Sequence, residues 1–115
     1  MLSKVQIDEH IKALGGDAVH FRGSGGTWEV ILRPPQLKDW DFYLANRENA
    51  ATKPSALLIL IRSMVAYCGD PKDGEKPTDT FDRLRQRWVS MAEAIGKQRR
   101  FDVFVGLIVD DEEKG

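Results

Sequence analysis

The chain has few of the residues that form covalent cross-links or metal sites. Among its 115 residues there is one cysteine, Cys68, and there are two histidines, His10 and His20. A single cysteine cannot form a disulfide within the chain, and neither histidine has a second histidine or a cysteine at metal-site spacing. We therefore expect a fold stabilised by its apolar core, with no metal and no cofactor, in a reducing cytoplasmic compartment.

Long apolar runs and an excess of charge of one sign are missing as well. The longest apolar run, Ala56 to Ile61, ends at Arg62 and is far shorter than the roughly 18 residues that a membrane span requires. The segment Met1 to Lys4 lacks the apolar run of a signal peptide. Net charge is -1, from 17 basic and 18 acidic side chains. These features argue against a membrane partner and against a surface built as a whole for nucleic acid.

The first third of the sequence predicts one helix and one hairpin. Apolar spacing indicates an amphipathic helix over Val5–Leu14, which Gly15-Gly16 ends. Alternating apolar and polar residues predict strands at Ala18–Arg22 and Thr27–Arg33. Between them, Gly23–Gly26 has the length and composition of a hairpin loop.

The remainder predicts helices. Pro34-Pro35 ends the second strand, so helices are expected over Pro35–Asn49 and, highly apolar, over Pro54–Cys68. A stripe at i, i+3, i+7, i+10 and i+14 predicts a single helix over Phe81–Ile95. Phe101–Val109 has strand propensity but is apolar on both faces; helix is favoured slightly, and strand stays open. The expected fold is mainly α (α+β), an N-terminal helix and a short β-hairpin packed against a bundle of three to four helices. One globular domain should span residues 1–109, followed by an acidic, flexible tail over 110–115.

A catalytic site is not expected. Gly23–Gly26 is not followed by the Lys-Ser/Thr pair of a P-loop, and Cys68 closes an apolar helix with no histidine near it in sequence. The remaining enzyme hypothesis places a site around Asp17, His20 and Ser24, and it would need a deep pocket lined by them. The sequence thus favours a protein that is not an enzyme.

Basic residues are concentrated near the end of the chain. From Arg83 to Arg100 there are six basic side chains and one acidic one, a local net charge of +5. The candidate partner-binding residues in this stretch are Arg83, Arg87, Arg99 and Arg100. A solvated helix face is the default interpretation of this pattern, and a small adaptor or nucleic-acid-associated regulatory protein is the alternative function. Nucleic-acid binding is weakened because no aromatic residues interleave with the basic ones on the exposed side.

Two segments carry a family resemblance. The glycine-containing hairpin followed by Trp28-Glu29-Val30-Ile31-Leu32-Arg33-Pro34-Pro35 and the helix entered through Leu37-Lys38-Asp39-Trp40 resembles the tail assembly chaperones of long-tailed bacteriophages and prophages. Phe81 to Ile95 is similar to a later helix of that family. By residue pattern the likeness covers Trp28–Trp40 and Phe81–Ile95, and by layout most of the chain.

The resemblance implies a non-enzymatic role in the cytoplasm of a bacterial host. Such chaperones bind the long tape measure protein and help to recruit tail tube protein during virion assembly. No catalytic residue is carried over by the likeness. It implies protein partners, leaves homo-oligomerisation open, and would place 110–115 at the boundary of a short form if a frameshifted product exists.

Overall fold

The structure is a computed structural model, and it describes residues 2–26, 28–46, 48–49, 51, 53–84 and 88–104. The elements in chain order are α1 (Lys4–Ala13), β1 (Val19–Arg22), β2 (Glu29–Leu32), α2 (Leu37–Asn46), α3 (Lys53–Met64), β3 (Val65–Cys68), α4 (Pro77–Arg83), α5 (Trp88–Gly96) and α6 (Arg99–Phe104). No helix in this described part is both long and apolar enough to cross a membrane.

The N-terminal helix and the hairpin are confirmed. Ser3 caps α1, since its hydroxyl accepts a hydrogen bond from the Gln6 amide while the Gln6 side chain accepts one from the Ser3 amide. Gly15 and Gly16 end the helix, both at φ 90°, where an L side chain would be strained. A short 3₁₀ turn, Ser24–Gly26, then joins the paired antiparallel strands β1 and β2.

The predicted helical bundle is wrong, because Val65–Cys68 is a strand rather than the end of a helix. It pairs antiparallel with β2 and completes a three-stranded sheet in the order β1-β2-β3. The part of the chain that the structure describes is therefore an α+β mixture and forms no helical bundle. Val65 and Tyr67 have high strand propensity. If the helix continued, the backbone amides and carbonyls on that edge of β2 would have no strand to pair with, and β3 supplies their hydrogen bonds.

Arg33 explains where α3 ends. Its amide donates to the Met64 carbonyl at 2.8 Å, and its guanidinium donates to the Ser63 carbonyl. The last carbonyls of a helix have no partner within the helix, so these bonds stabilise an end at Met64. Arg33, which directly follows β2, therefore fixes the end of α3, and the chain after Met64 enters β3.

Two other predicted boundaries are also corrected. The helix expected over Pro35–Asn49 begins two residues later, at Leu37, so Pro35 precedes it. The helix expected over Phe81–Ile95 is two helices, because α4 ends at Arg83 with Leu84 as its cap and α5 begins at Trp88. In α4 the first helical residue is Pro77, which tolerates this position because it has no amide hydrogen.

One face of the sheet forms the main core. Side chains from all three strands pack there against α3 to α6: Phe21, Val30, Leu32, Val65 and Cys68. In α3 the buried residues are Ala56, Leu57, Leu60, Ile61 and Met64, as expected for the most buried helix. Phe101 of α6 meets Phe21 edge-on at a centroid distance of 6.1 Å, so the favoured helix is confirmed up to Phe104. Residues 105–109 and the predicted tail lie outside the described residues.

The opposite face of the sheet lies beneath α1. By strand alternation it carries His20, Arg22, Glu29, Ile31 and Tyr67. Helix α1 packs against β2, yet it contributes no fully buried side chain. The sheet thus separates a dense apolar layer from a thin, partly polar one.

Candidate functional site

Arg83, the first predicted binding residue, is held within the chain. Its Nε donates to Glu75 Oε2 at 2.9 Å, and its Nη2 donates to the Asp70 carbonyl at 2.6 Å. Bonds from Arg83 and from the Lys72 amide lower the pKa of Glu75 to about 2. Much of the charge of Arg83 is therefore matched by Glu75, and the guanidinium braces the loop before α4.

Of the other three predicted arginines, the structure gives side-chain contacts for Arg100. Arg100 lies over the ring of Phe21, with its guanidinium carbon 4.3 Å from the ring centroid, and its Nη2 donates to Gln98 at 3.3 Å. For Arg99 only the backbone position in α6 is described, and Arg87 lies outside the described residues. A shared basic surface therefore stays a prediction.

Among the described residues, Glu29 is the one charged side chain that is buried, and it is 3% exposed. Its Oε2 accepts from His20 Nε2 at 2.8 Å and from Arg22 Nε at 3.0 Å. Its Oε1 accepts from the Leu2 amide at 3.0 Å. Arg22 Nη2 also donates to the Leu2 carbonyl at 2.9 Å, so both backbone polar groups of Leu2 are bound. We call Glu29, Arg22 and His20 the Glu29 clamp.

Burial and bonding act in opposite directions on the Glu29 carboxylate. Burial alone would raise its pKa, but hydrogen bonds from His20, Arg22 and the Leu2 amide outweigh burial and lower the pKa of Glu29 below its usual value. The charged form is thus the one that this environment favours. A carboxylate held this way serves as an anchor, since a general acid or base needs a proton it can exchange near neutral pH.

Tyr67 and His10 lie on the same side of the sheet. Their ring centroids are 5.1 Å apart, and His10 is half-buried against the sheet. Burial raises the pKa of Tyr67, and the charge of Glu29 adds to the rise. Ile31, fully buried between these polar groups, is the apolar contribution of the sheet to this layer.

The enzyme hypothesis gains nothing from these positions. His20 is bound to Glu29, Ser24 lies in the turn at the tip of the hairpin, and Asp17 is an exposed residue ahead of β1. Within the described residues, no group of three or more His, Cys, Asp and Glu side chains could hold a metal ion. Cys68 is a buried thiol in the main core.

A different surface is formed by apolar side chains that the core leaves exposed. On α2, Leu37 is 75% exposed, Phe42 45% and Leu44 39%, and on the adjoining α3 Ile59 is 53% exposed. Among the described side chains of α2, only Tyr43 is buried. We call Leu37, Phe42, Leu44 and Ile59 the α2 surface. Single exposed apolar residues are ordinary, but Leu37 and Leu44 lie two helical turns apart on the same side of α2, and such a pair indicates a place where another molecule can bind.

Sequence reasoning missed both the α2 surface and the Glu29 clamp. Strand alternation does place His20 and Arg22 on one face, and the hairpin pairs Arg22 directly with Glu29. That signal predicts the ion pair. Its burial depends on α1 folding back over the sheet, which no local pattern shows.

Comparisons with known proteins do not supply a relative. No family model, no curated protein and no solved structure matches the chain. The family resemblance of Trp28–Trp40 and Phe81–Ile95 therefore remains an expectation drawn from residue pattern. Function must be argued from those residues and from the contacts given above.

Proposed function

We propose that this chain is a tail assembly chaperone of the phage or prophage type, which binds helical segments of a tape measure protein and assists tail tube assembly without catalysis. The observation that carries the proposal is the α2 surface, where four large apolar side chains stay exposed on two packed helices. The residue pattern from Trp28 to Trp40 supports it independently, and it runs directly into α2. Its site of action would be the cytoplasm of a bacterial host.

The mode of binding is a helix laid on an apolar surface. Leu37 and Leu44 are seven residues apart, two helical turns, so they lie on the same side of α2. An amphipathic helix of the partner can cover both with its own apolar stripe, at spacings of three, four and seven residues. The α2 surface would bind any helix that has apolar residues at this spacing. Such spacing recurs along a long helical partner, so one chaperone can bind at many positions along it.

The size of the surface indicates weak binding by each copy. Covering the exposed fractions of the four side chains would contribute about 4 kcal/mol, at roughly 2 kcal/mol per fully buried apolar side chain. Association costs reduce that gain, so one contact corresponds to a dissociation constant of about 1 mM or weaker. Stable coating of a long partner then requires several copies that act together.

The electrostatic part of the proposal is smaller than the sequence suggested. Because Arg83 is bound to Glu75, it contributes little free positive charge. Replacing Arg83, Arg87, Arg99 and Arg100 together tests what remains, and unchanged binding at low and moderate salt would remove electrostatics from the account. The same salt series addresses the alternative of a nucleic-acid-associated adaptor, since phosphate binding must weaken steeply as salt is added.

A titration with one helical segment of the candidate tape measure, followed by NMR shifts, tests the α2 surface. The variant Leu37→Ser/Leu44→Ser loses about 2.3 kcal/mol, roughly 50-fold in affinity, so the NMR shifts that the segment causes in the wild type should disappear at the same concentrations. Val5→Ser is the matched control, because Val5 is an equally apolar residue, 66% exposed, on α1. Equal affinity of the double variant and the control would reject the α2 surface as the binding site. Neighbouring genes for a tail tube protein and a tape measure would support the family assignment.

A further inference from the structure

We infer that α1 is an exchangeable segment, and that the Glu29 clamp with Ile31 and Tyr67 is an acceptor surface that can bind α1 from a second copy of this chain. The inference goes beyond the proposed function and does not rest on it. It concerns the face of the sheet opposite the main core. We call that face the acceptor surface.

The acceptor surface recognises a chain segment by its backbone. Glu29 Oε1 accepts from the Leu2 amide at 3.0 Å, while Arg22 Nη2 donates to the Leu2 carbonyl at 2.9 Å. These two bonds bind one donor and one acceptor on a single residue ahead of the α1 N-cap. Because both groups belong to the backbone, the α1 of another copy offers them in the same geometry, followed by the same His10 to meet Tyr67.

Helix α1 is attached in a way that permits exchange. None of its side chains is fully buried, and Val5 is 66% exposed, so removing it from the sheet leaves the main core intact. Its retention depends on the Glu29 clamp and on a thin layer of half-buried residues, which include Ile7, His10 and Ile11. A helix of ten residues held this way can separate from the sheet without global unfolding.

The connection to β1 provides a hinge. Gly15 and Gly16 both have φ of 90°, and a Cβ on either would meet no atom within 4 Å. The Gly16 amide bonds the Ile11 carbonyl at 2.9 Å, which turns the chain back toward the sheet. If these glycines instead take extended conformations, which glycine adopts readily, α1 is directed away from its own sheet and toward a neighbour. Exchange of an identical element between copies preserves every contact and adds only the cost of association.

Complementation between two full-length variants tests the inference. The first, Glu29→Gln, keeps a normal α1 but has a weakened acceptor surface, because the new NH₂ group no longer holds the Arg22 guanidinium against the Leu2 carbonyl. The second, Leu2→Pro/Ile7→Pro, keeps the clamp but lacks the Leu2 amide hydrogen and a continuous α1. When the two are mixed at high concentration, the α1 amides of the first should exchange with deuterium roughly tenfold more slowly, the factor expected from regaining one charge-assisted hydrogen bond.

The matched control adds Glu29→Gln to the second variant, so that neither chain has an intact acceptor surface. No slowing is expected with that partner. Slowing that is equal with both partners, or absent with both, would overturn the inference.

A hinge variant gives a second measurement that does not depend on proline substitutions. Deleting Gly16 and Asp17 shortens the connection so that α1 cannot reach its own sheet. Light scattering should then show a dimer with protected α1 amides, which Glu29→Gln in the same chain converts to a monomer with unprotected α1. A shortened chain that stays monomeric, or a dimer that persists unchanged with Glu29→Gln, would show that the acceptor surface does not bind α1 from another copy.

Discussion

Replacing Glu29 by glutamine keeps the shape of a buried side chain but removes the charge on which the clamp depends. The carboxylate accepts from His20, Arg22 and the Leu2 amide and is 3% exposed. In Glu29→Gln one oxygen can still accept from Leu2. The other position becomes an NH₂ group that faces the donors of Arg22 and His20, so at least one buried donor loses its partner.

The expected loss of stability follows from these contacts. Removing one partner of a fully buried ion pair costs about 3–5 kcal/mol, because the remaining charge is stranded without water. The side chain of Arg22 is 35% exposed, so water can solvate part of its charge. We therefore expect Glu29→Gln to lower the free energy of unfolding by about 2–3 kcal/mol, the scale of one or two charge-assisted hydrogen bonds. For a chain of this length, that corresponds to a fall in Tm of about 10 °C.

Urea unfolding followed by circular dichroism measures this loss directly. The matched control is Asp82→Asn, which removes a carboxylate that is also bonded to an arginine, Arg62, but has a side chain that is 44% exposed. Its effect should be much smaller, because water replaces bonds that are lost at the surface. If the two variants lose equal stability, or if Glu29→Gln loses less than about 1 kcal/mol, the Glu29 clamp does not have the anchoring role assigned to it.

Three further changes have distinct expected outcomes. The pKa of Glu29 is lowered in the folded state, so its contribution to the free energy of unfolding is complete above the unfolded pKa of about 4.3 and is lost as pH falls further. The stability difference between wild type and Glu29→Gln should therefore narrow in acid. A difference that stays constant down to pH 3 would contradict this. A Cβ at Gly23 would overlap the buried Trp28 ring, lying 2.7 Å from its Cδ1, so Gly23→Ala should lower the free energy of unfolding in urea by about 1–3 kcal/mol. A neutral effect would show that the indole moves freely. Arg62 and Asp82 form a two-bond ion pair at 2.8 Å, with both side chains nearly half exposed. A double-mutant cycle should therefore give a coupling energy of about 0.2–1 kcal/mol that decreases with salt. A larger value that does not depend on salt would show that the pair is shielded from water.

The elements that could be predicted are those whose cause is local. Ser3, the apolar spacing after it and Gly15-Gly16 are sufficient to indicate α1 and its end. Alternation on both sides of the glycine-rich turn is sufficient for the hairpin. In α3 the buried side of the helix follows from spacing alone, with Leu57, Leu60 and Met64 facing the core.

Strand β3 could not be predicted, because its cause is remote in sequence. Met64 to Cys68 is apolar like the helix before it, and no glycine, proline or change of period marks a boundary between them. Pairing with β2 and capping of the helix by Arg33 decide the outcome, and both depend on residues about 30 positions away. The prediction of one helix over Phe81–Ile95 was wrong for a related reason. The apolar spacing continues past Arg83, although α4 ends there.

The candidate sites differ in the same way. The helical spacing of Leu37 and Leu44 is typical of core positions, yet both side chains are exposed. Among the described side chains of α2, Tyr43 is the one that is buried. Glu29 reads as an outward strand residue, yet it is buried because α1 folds back over it. Arg83 reads as free positive charge, yet Glu75 binds it from the preceding loop. In each case a second segment, absent from the local pattern, determines whether a side chain is available to a partner.

The proposed chaperone role requires that a tape measure helix bind to the α2 surface. Hydrogen exchange of the full chain, alone and in complex with a helical tape measure segment, locates the bound region directly. We expect slower exchange in α2 and in the neighbouring turn of α3 around Ile59, with no change in the loop that Glu75 and Arg83 brace. Protection confined to residues 83–100, with α2 unchanged, would contradict it.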